Sequence, residues 1–422
     1  MFAFPQNYTS VVKRLARAGL QDIQILVLCF AVLLYGAFGS PTPDNPGYLE
    51  GFIGGLLVLA VGFSGVWKAV RLSSENPLWF SLGQVFLIFG CVVPVIAGLI
   101  AGNDVALMVR DFVPFLFMVL PILLFVGVRV KPETASVVMY SVLGAGLLFA
   151  VRSVLDLRFL GAGDSLYYLG NAPSVLFAAL FFAGSAMTVF IERFNLRSCL
   201  LAACLCALAG LCLWPIIEAQ QRASFGVFIL SMIVLWLVYL WRMPKRALLI
   251  LFILGCTLFP FIDSFSDVLA NFSQKTKLVG ANMRVQEWAA VWAEVSDNPL
   301  SLVFGSGWGA VFSSPAVADI QVNFTHGLLS SLLLKTGLIG FTLGAAYLAV
   351  VFKLPWSVFM WRPFIALALA GPVLIDVFLY ASFKSLDFGL MLLLISILHY
   401  QNYQNIFSGI FYGEDEDVEI AY

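Results

Sequence analysis

Apolar runs, mostly of about 17 to 25 residues, recur along this chain from end to end, and that repeat limits what it can fold into. A run of that length crosses a hydrocarbon core as a single helix. The alternative membrane architecture, a β-barrel, needs ten-residue alternating segments, and none are present. Composition agrees: 61% of residues are hydrophobic and only 11% charged, with 39 Phe and a mean hydropathy of +0.97. The expected fold is an all-α polytopic membrane protein. It forms one transmembrane domain over 1–422, with the first run too long, and too poor in A-x-A-like sites, for a cleaved signal.

Twelve spans are expected, near 23–40, 51–67, 78–101, 112–128, 134–151, 173–191, 198–217, 225–241, 247–262, 326–351, 363–380 and 389–403. Lys and Arg in the connections divide unequally, fourteen on one side against eight on the other, with Lys335 inside a span. Positive residues accumulate in the cytoplasm, so both termini are expected there and the eight face outward. The net charge of −1 points to no nucleic acid or other polyionic partner. All seven Cys fall inside runs without ligand-like CxxC spacing, as small buried hydrophobes do.

One outward connection is long. Residues 263–325, between the ninth and tenth spans, contain "ANMRVQEWAAVWAEVSDNP", which reads as a helix. Val285, Trp288, Ala289, Trp292 and Val295 form one stripe, suited to the membrane interface, with Arg284, Glu287 and Glu294 away from it. Asn282 is a plausible N-cap and "SDNP" a stop. "FGSGWGAVF" follows, its alternating glycines suggesting a flexible or tight turn with backbone N–H groups available.

Several outward residues can carry chemistry. Arg222 is pinned at the surface by a short connection, and Arg284 sits in the first turn of the loop helix, where the dipole also favours an anion. Two guanidinium groups there suit a lipid-linked diphosphate. Arg222 could equally snorkel to lipid phosphates, and Arg284 could pair with Glu287 at i, i+3. Arg110, Arg152 and Arg158 face the same side and extend the candidate anion site. His326, at the lip of the tenth span, suits proton transfer, phosphate binding or helix capping. Lys335, nine residues on and about 13 Å deeper, falls on the opposite helix face. Ser331 and Asp376 are its candidate partners in a structural pair. The face through His326, Ser330, Leu333, Gly337 and Gly340 suits close helix packing. No acidic pair or imidazole cluster suggests a metal, so neither metal nor cofactor is expected.

In order and spacing, Arg222, "RVQEW" from Arg284, "FGSGWG" at 304–309 and "THGLLSSLLLKTGLIG" at 325–340 are similar to the O-antigen ligase/polymerase superfamily. Those are bacterial inner-membrane glycosyltransferases that use undecaprenyl-diphosphate-linked glycans on the periplasmic face. The chain departs from the family where Gln221 precedes Arg222 and Gly327 follows His326. The resemblance implies that Arg222 and Arg284 engage the diphosphate of the glycan donor and that His326 acts on an acceptor hydroxyl. Glu287 and Trp288, beside Arg284, join the substrate-binding candidates. The implied acceptor is lipid A-core for a ligase, or another lipid-linked glycan for a polymerase. A transporter of lipid-linked sugar is the rival from another class, but it would distribute charges through several spans.

Overall fold

The computed structural model describes residues 19–41, 47–73, 76–128, 132–157, 169–258, 283–359 and 362–400. In chain order the helices are α1 (Leu20–Phe38), α2 (Tyr48–Val70), α3 (Leu78–Ala101), α4 (Val105–Met118), α5 (Leu120–Val128), α6 (Pro132–Val154), α7 (Pro173–Glu192), α8 (Leu196–Glu218), α9 (Arg222–Arg242), α10 (Pro244–Leu258), α11 (Arg284–Ser296), α12 (Pro299–Phe304), α13 (Leu328–Phe359), α14 (Pro363–Phe378) and α15 (Leu386–Tyr400). A two-stranded hairpin, β1 (Phe312–Ser314) and β2 (Ile320–Val322), lies between α12 and α13.

Among the described residues, seven helices are long and apolar enough to cross a membrane, and three shorter apolar helices accompany them. The expected fourth span is two helices, α4 and α5, separated at Val119. Apolar side chains also cover the outside of the bundle: Phe63 is 84% exposed and Ile100 83%. Such a surface belongs in lipid, where apolar exposure costs nothing. The centre is α15, buried on all sides from Leu386 to Leu398 and packed against α4, α5, α6, α7, α13 and α14. Its all-round apolar sequence requires that position.

The glycine-rich turn after α12 does not leave its amides free. Instead it wedges between two interrupted helices. Gly337 inside α13 takes φ 61 and ψ −167, breaking the helical ladder there. The carbonyls of Leu334 and Lys335 accept instead from Ser306 N–H at 2.9 Å and Gly307 N–H at 3.1 Å. On the other side, Pro94 in α3 has no N–H, which releases the Gly90 carbonyl four residues back. Trp308 Nε1 donates to that carbonyl at 2.9 Å, and its backbone N–H donates to Pro94 O at 3.0 Å. Asn103 Nδ2 donates to the Ser306 and Trp308 carbonyls at 3.0 and 2.8 Å. A side chain at Gly307 is impossible without rearrangement: φ is +80, and a Cβ would lie 2.1 Å from Gly98 N. Gly337, expected as a close-packing position, is thus a helix break that receives this turn.

Candidate functional site

The loop helix α11 buries one carboxylate along with two valines. Glu287, Val291 and Val295 recur every four residues and face inward, with Glu287 1% exposed. Val285, Trp288 and Trp292 are exposed on the other side, as expected for an interfacial stripe. Val295 departs from that stripe, because it packs with Val291, Phe312, Leu333 and Leu334 in a small core of its own. Asn282 and Arg158 lie outside the described residues. Met283, with φ 56, precedes the first turn of α11. "SDNP" ends α11 and also starts α12, with Asn298 Oδ1 accepting from Leu300 N–H at 2.9 Å and Pro299 opening the helix.

A buried carboxylate requires partners, and Glu287 has three donors. Oε1 accepts from Ser314 Oγ at 3.3 Å and contacts His326 Nδ1 at 2.9 Å. Oε2 accepts the backbone N–H of His326 at 3.1 Å. The hairpin explains Ser314: strand alternation turns Phe312 and Ser314 inward while Ser313 points out. His326 itself precedes α13, on a turn where Thr325 Oγ1 donates to Gly327 O at 2.7 Å and Ser330 Oγ donates to Thr325 Oγ1 at 2.9 Å. Its side chain remains 26% exposed. With Nδ1 held by a carboxylate, Nε2 is the nitrogen left for chemistry.

Arg284 lies one turn from Glu287 on the same helix. Its Nη1 is buried without a hydrogen-bond partner. Burial lowers the guanidinium from its ordinary value, opposed by the charges of Glu287 and Tyr380. Burial likewise raises the Glu287 carboxyl, with Arg284 and the Ser314 hydroxyl acting against it. A half-buried cation with an unused donor is a natural place for an oxyanion.

A second group of charges lies beside the first. Lys335 bonds Asp111 Oδ2 at 2.6 Å and donates to the Ala310 carbonyl. In place of the expected counter-ion Asp376 and neighbour Ser331, the partner is Asp111, held also by the glycine turn, whose Gly309 N–H donates to Oδ2 at 2.9 Å. Lys384, in the 3-10 turn Ala381–Lys384 between α14 and α15, is 3.8 Å from Asp111 Oδ1. Its ammonium lies 5.6 Å from the centroid of the Phe324 ring, and that ring meets His326 edge-on at 5.8 Å. Sequence reading missed Lys384, Asp111, Ser314 and Tyr380. The available signal was a lysine in a short connection between two apolar runs, and an aspartate next to Arg110.

The remaining candidates have different surroundings. Arg222 opens α9, half-buried, after the left-handed Gln220 (φ 51) closes α8 with Gln221 N–H to Ile216 O at 3.0 Å. Arg152 is 2% exposed and donates to the Gly36 and Gly39 carbonyls at 3.0 and 2.8 Å, tying the end of α1 to α6. Arg110 is exposed on α4, close enough for its charge to bear on Lys384. Together these features define a mainly helical protein, apolar enough to lie in a membrane, with a carboxylate-held imidazole and a half-buried guanidinium on the same loop helix and its neighbours. Compared with known proteins, the chain matches no family model and no curated sequence.

Proposed function

We propose that this protein is a membrane glycosyltransferase of O-antigen ligase type, moving a glycan from undecaprenyl diphosphate to an acceptor hydroxyl such as one on lipid A-core. The observation that carries this reading is the Glu287–His326 pair at 2.9 Å, with Arg284 Nη1 unpartnered one helical turn away. His326 Nε2 takes the acceptor proton as the acceptor oxygen bonds to the anomeric carbon. The bond from that carbon to the diphosphate oxygen breaks, and the electron pair leaves with the diphosphate. Glu287 fixes the ring tautomer and stabilises the imidazolium, as carboxylate partners of catalytic histidines do. Arg284 offsets the charge that grows on the leaving group, and Arg222 is assigned the outer part of the same anion.

In this reading the twelve apolar runs cross a bacterial inner membrane, with both termini cytoplasmic and the site facing the periplasm. Glu287, His326, Lys384, Asp111 and Lys335 are linked by contacts into one group, and this supports chemistry at a single site over a transport path. A polymerase joining lipid-linked repeats would use the same groups on a different acceptor. The test is transfer by the purified protein, in detergent, from a synthetic glycan-diphosphate lipid to lipid A-core. Absence of product under conditions where the protein remains folded refutes the assignment. Product only with a second lipid-linked glycan as acceptor assigns a polymerase.

A further inference from the structure

Asp111 carries one negative charge and faces two ammonium groups. Oδ2 is occupied by Lys335 at 2.6 Å and by the Gly309 amide, so Lys384 is left with Oδ1 at 3.8 Å. Arg110, exposed on the same turn of α4, adds another positive charge nearby. The group therefore has excess positive charge, although the Lys384 side chain is only 16% exposed. A cation so far removed from water is costly unless an anion completes it. The position of that anion is confined, because Lys384 lies over Phe324 and the same ring meets His326.

We propose that Lys384, with Arg110 beside it, forms a phosphate-binding subsite next to His326. This rests on the glycosyltransferase reading and deepens it. The phosphate is one of the donor's lipid diphosphate, or one carried by a phosphorylated acceptor headgroup. Arg284 and Lys384 would then hold oxyanions from two different elements of the fold, α11 and the turn before α15.

Burial lowers the Lys384 ammonium to about 8, with Asp111 opposing the shift and Lys335 and Arg110 adding to it. The charges bearing on it are thus Asp111 and Arg110 from α4 and Lys335 from α13. From α15, Asp387 is turned to the Tyr35 hydroxyl at 2.7 Å, and from α14 Asp376 is buried. Phosphate affinity through Lys384 should consequently weaken as pH rises past this value, while an arginine there keeps its charge.

The experiment is calorimetric binding of inorganic pyrophosphate to the full chain in nanodiscs, comparing wild type, Lys384→Gln and Lys384→Arg across that pH range. Lys384→Gln should bind about tenfold or more weakly below pH 8, the loss of one charge-assisted contact. Wild type should lose affinity on the alkaline side relative to Lys384→Arg, with the probe's own titration common to both. Equal affinity in wild type and Lys384→Gln, matching alkaline profiles in wild type and Lys384→Arg, or no binding to wild type each overturns the subsite. Where Lys384→Gln fails to fold, the arginine comparison decides alone. In transfer assays, a raised donor KM in Lys384→Gln assigns the phosphate to the lipid diphosphate, and a raised acceptor KM assigns it to the acceptor. Binding needs no turnover, so Lys384-dependent binding without glycosyl transfer refutes the enzyme reading and leaves the subsite standing.

Discussion

Glu287 grips His326 at two points, its Oε1 on ring Nδ1 at 2.9 Å and its Oε2 on the backbone N–H at 3.1 Å. A carboxylate bonded to both the ring and the main chain sets the imidazole's position as well as its tautomer. The arrangement joins α11 to the start of α13 across the hairpin, so the geometry depends on the loop being folded.

Glu287→Gln tests that grip directly. The two contacts use different oxygens, so an amide sets an NH2 donor against either the ring or the backbone N–H. We expect transfer to fall by about 10²–10⁴-fold, within the range for disabling a general base. Single-turnover rates from a lipid-diphosphate donor measure it, and a variant within a factor of three or so of wild type would sink the role.

The same residue gives a pH dependence of stability. Burial raises the Glu287 carboxyl above its ordinary 4.5, so the folded chain holds that proton more tightly than the unfolded one. Through the window above 4.5 the contribution of this group to stability falls as pH rises. Unfolding midpoints in detergent should show that slope in wild type and a shallower one in Glu287→Gln. Identical slopes would contradict it.

Arg284→Ala should abolish transfer while the protein still inserts and folds, because Nη1 has no internal hydrogen bond to lose. Product yield and gel-filtration profile are the paired readouts. Wild-type product levels from a folded variant would remove Arg284 from the site.

Asp111→Asn leaves the buried Lys335 ammonium facing an amide. Breaking a buried pair from one side costs about 3–5 kcal/mol, whereas removing both charges is often nearly neutral. Thermal unfolding should therefore show a large loss in the single variant and partial recovery in Asp111→Asn/Lys335→Met, since Lys384 also faces Asp111. Additive losses in the double variant would argue against the pairing.

Gly307→Ala places a Cβ 2.1 Å from Gly98 N at φ +80, combining a backbone clash with strain of about 1–3 kcal/mol. Loss of folded protein is expected. Gly210→Ala, in α8 with open space around it, should instead be neutral or mildly stabilising. Yields of folded protein after extraction compare the two.

The helices were legible because lipid makes one demand of every span, a long apolar run, and that demand is local. The loop helix was legible too, since three-to-four-residue periodicity declares an exposed stripe such as Val285, Trp288 and Trp292. What the stripe does not tell is where Glu287 goes: it lies away from the tryptophans, and only the fold shows it to be buried. Likewise "FGSGWG" announced a turn, flexible or tight, but the destination of its amides depends on Gly337 and Pro94, residues tens to hundreds of positions away.

His326 and Lys335 illustrate the division. By itself the sequence determined that Lys335 lies within an apolar run and His326 at its lip; the opposite-face expectation assumed a continuous helix, whereas His326 stands on the turn before α13. What tertiary structure decided is that they still connect, through Asp111, Lys384 and Phe324. Asp111 comes from α4 and Lys384 from the turn before α15, and nothing in local periodicity brings those together. Charges removed from water pair with whatever the packed bundle sets beside them, and that neighbour is fixed by three-dimensional contact and not by spacing along the chain.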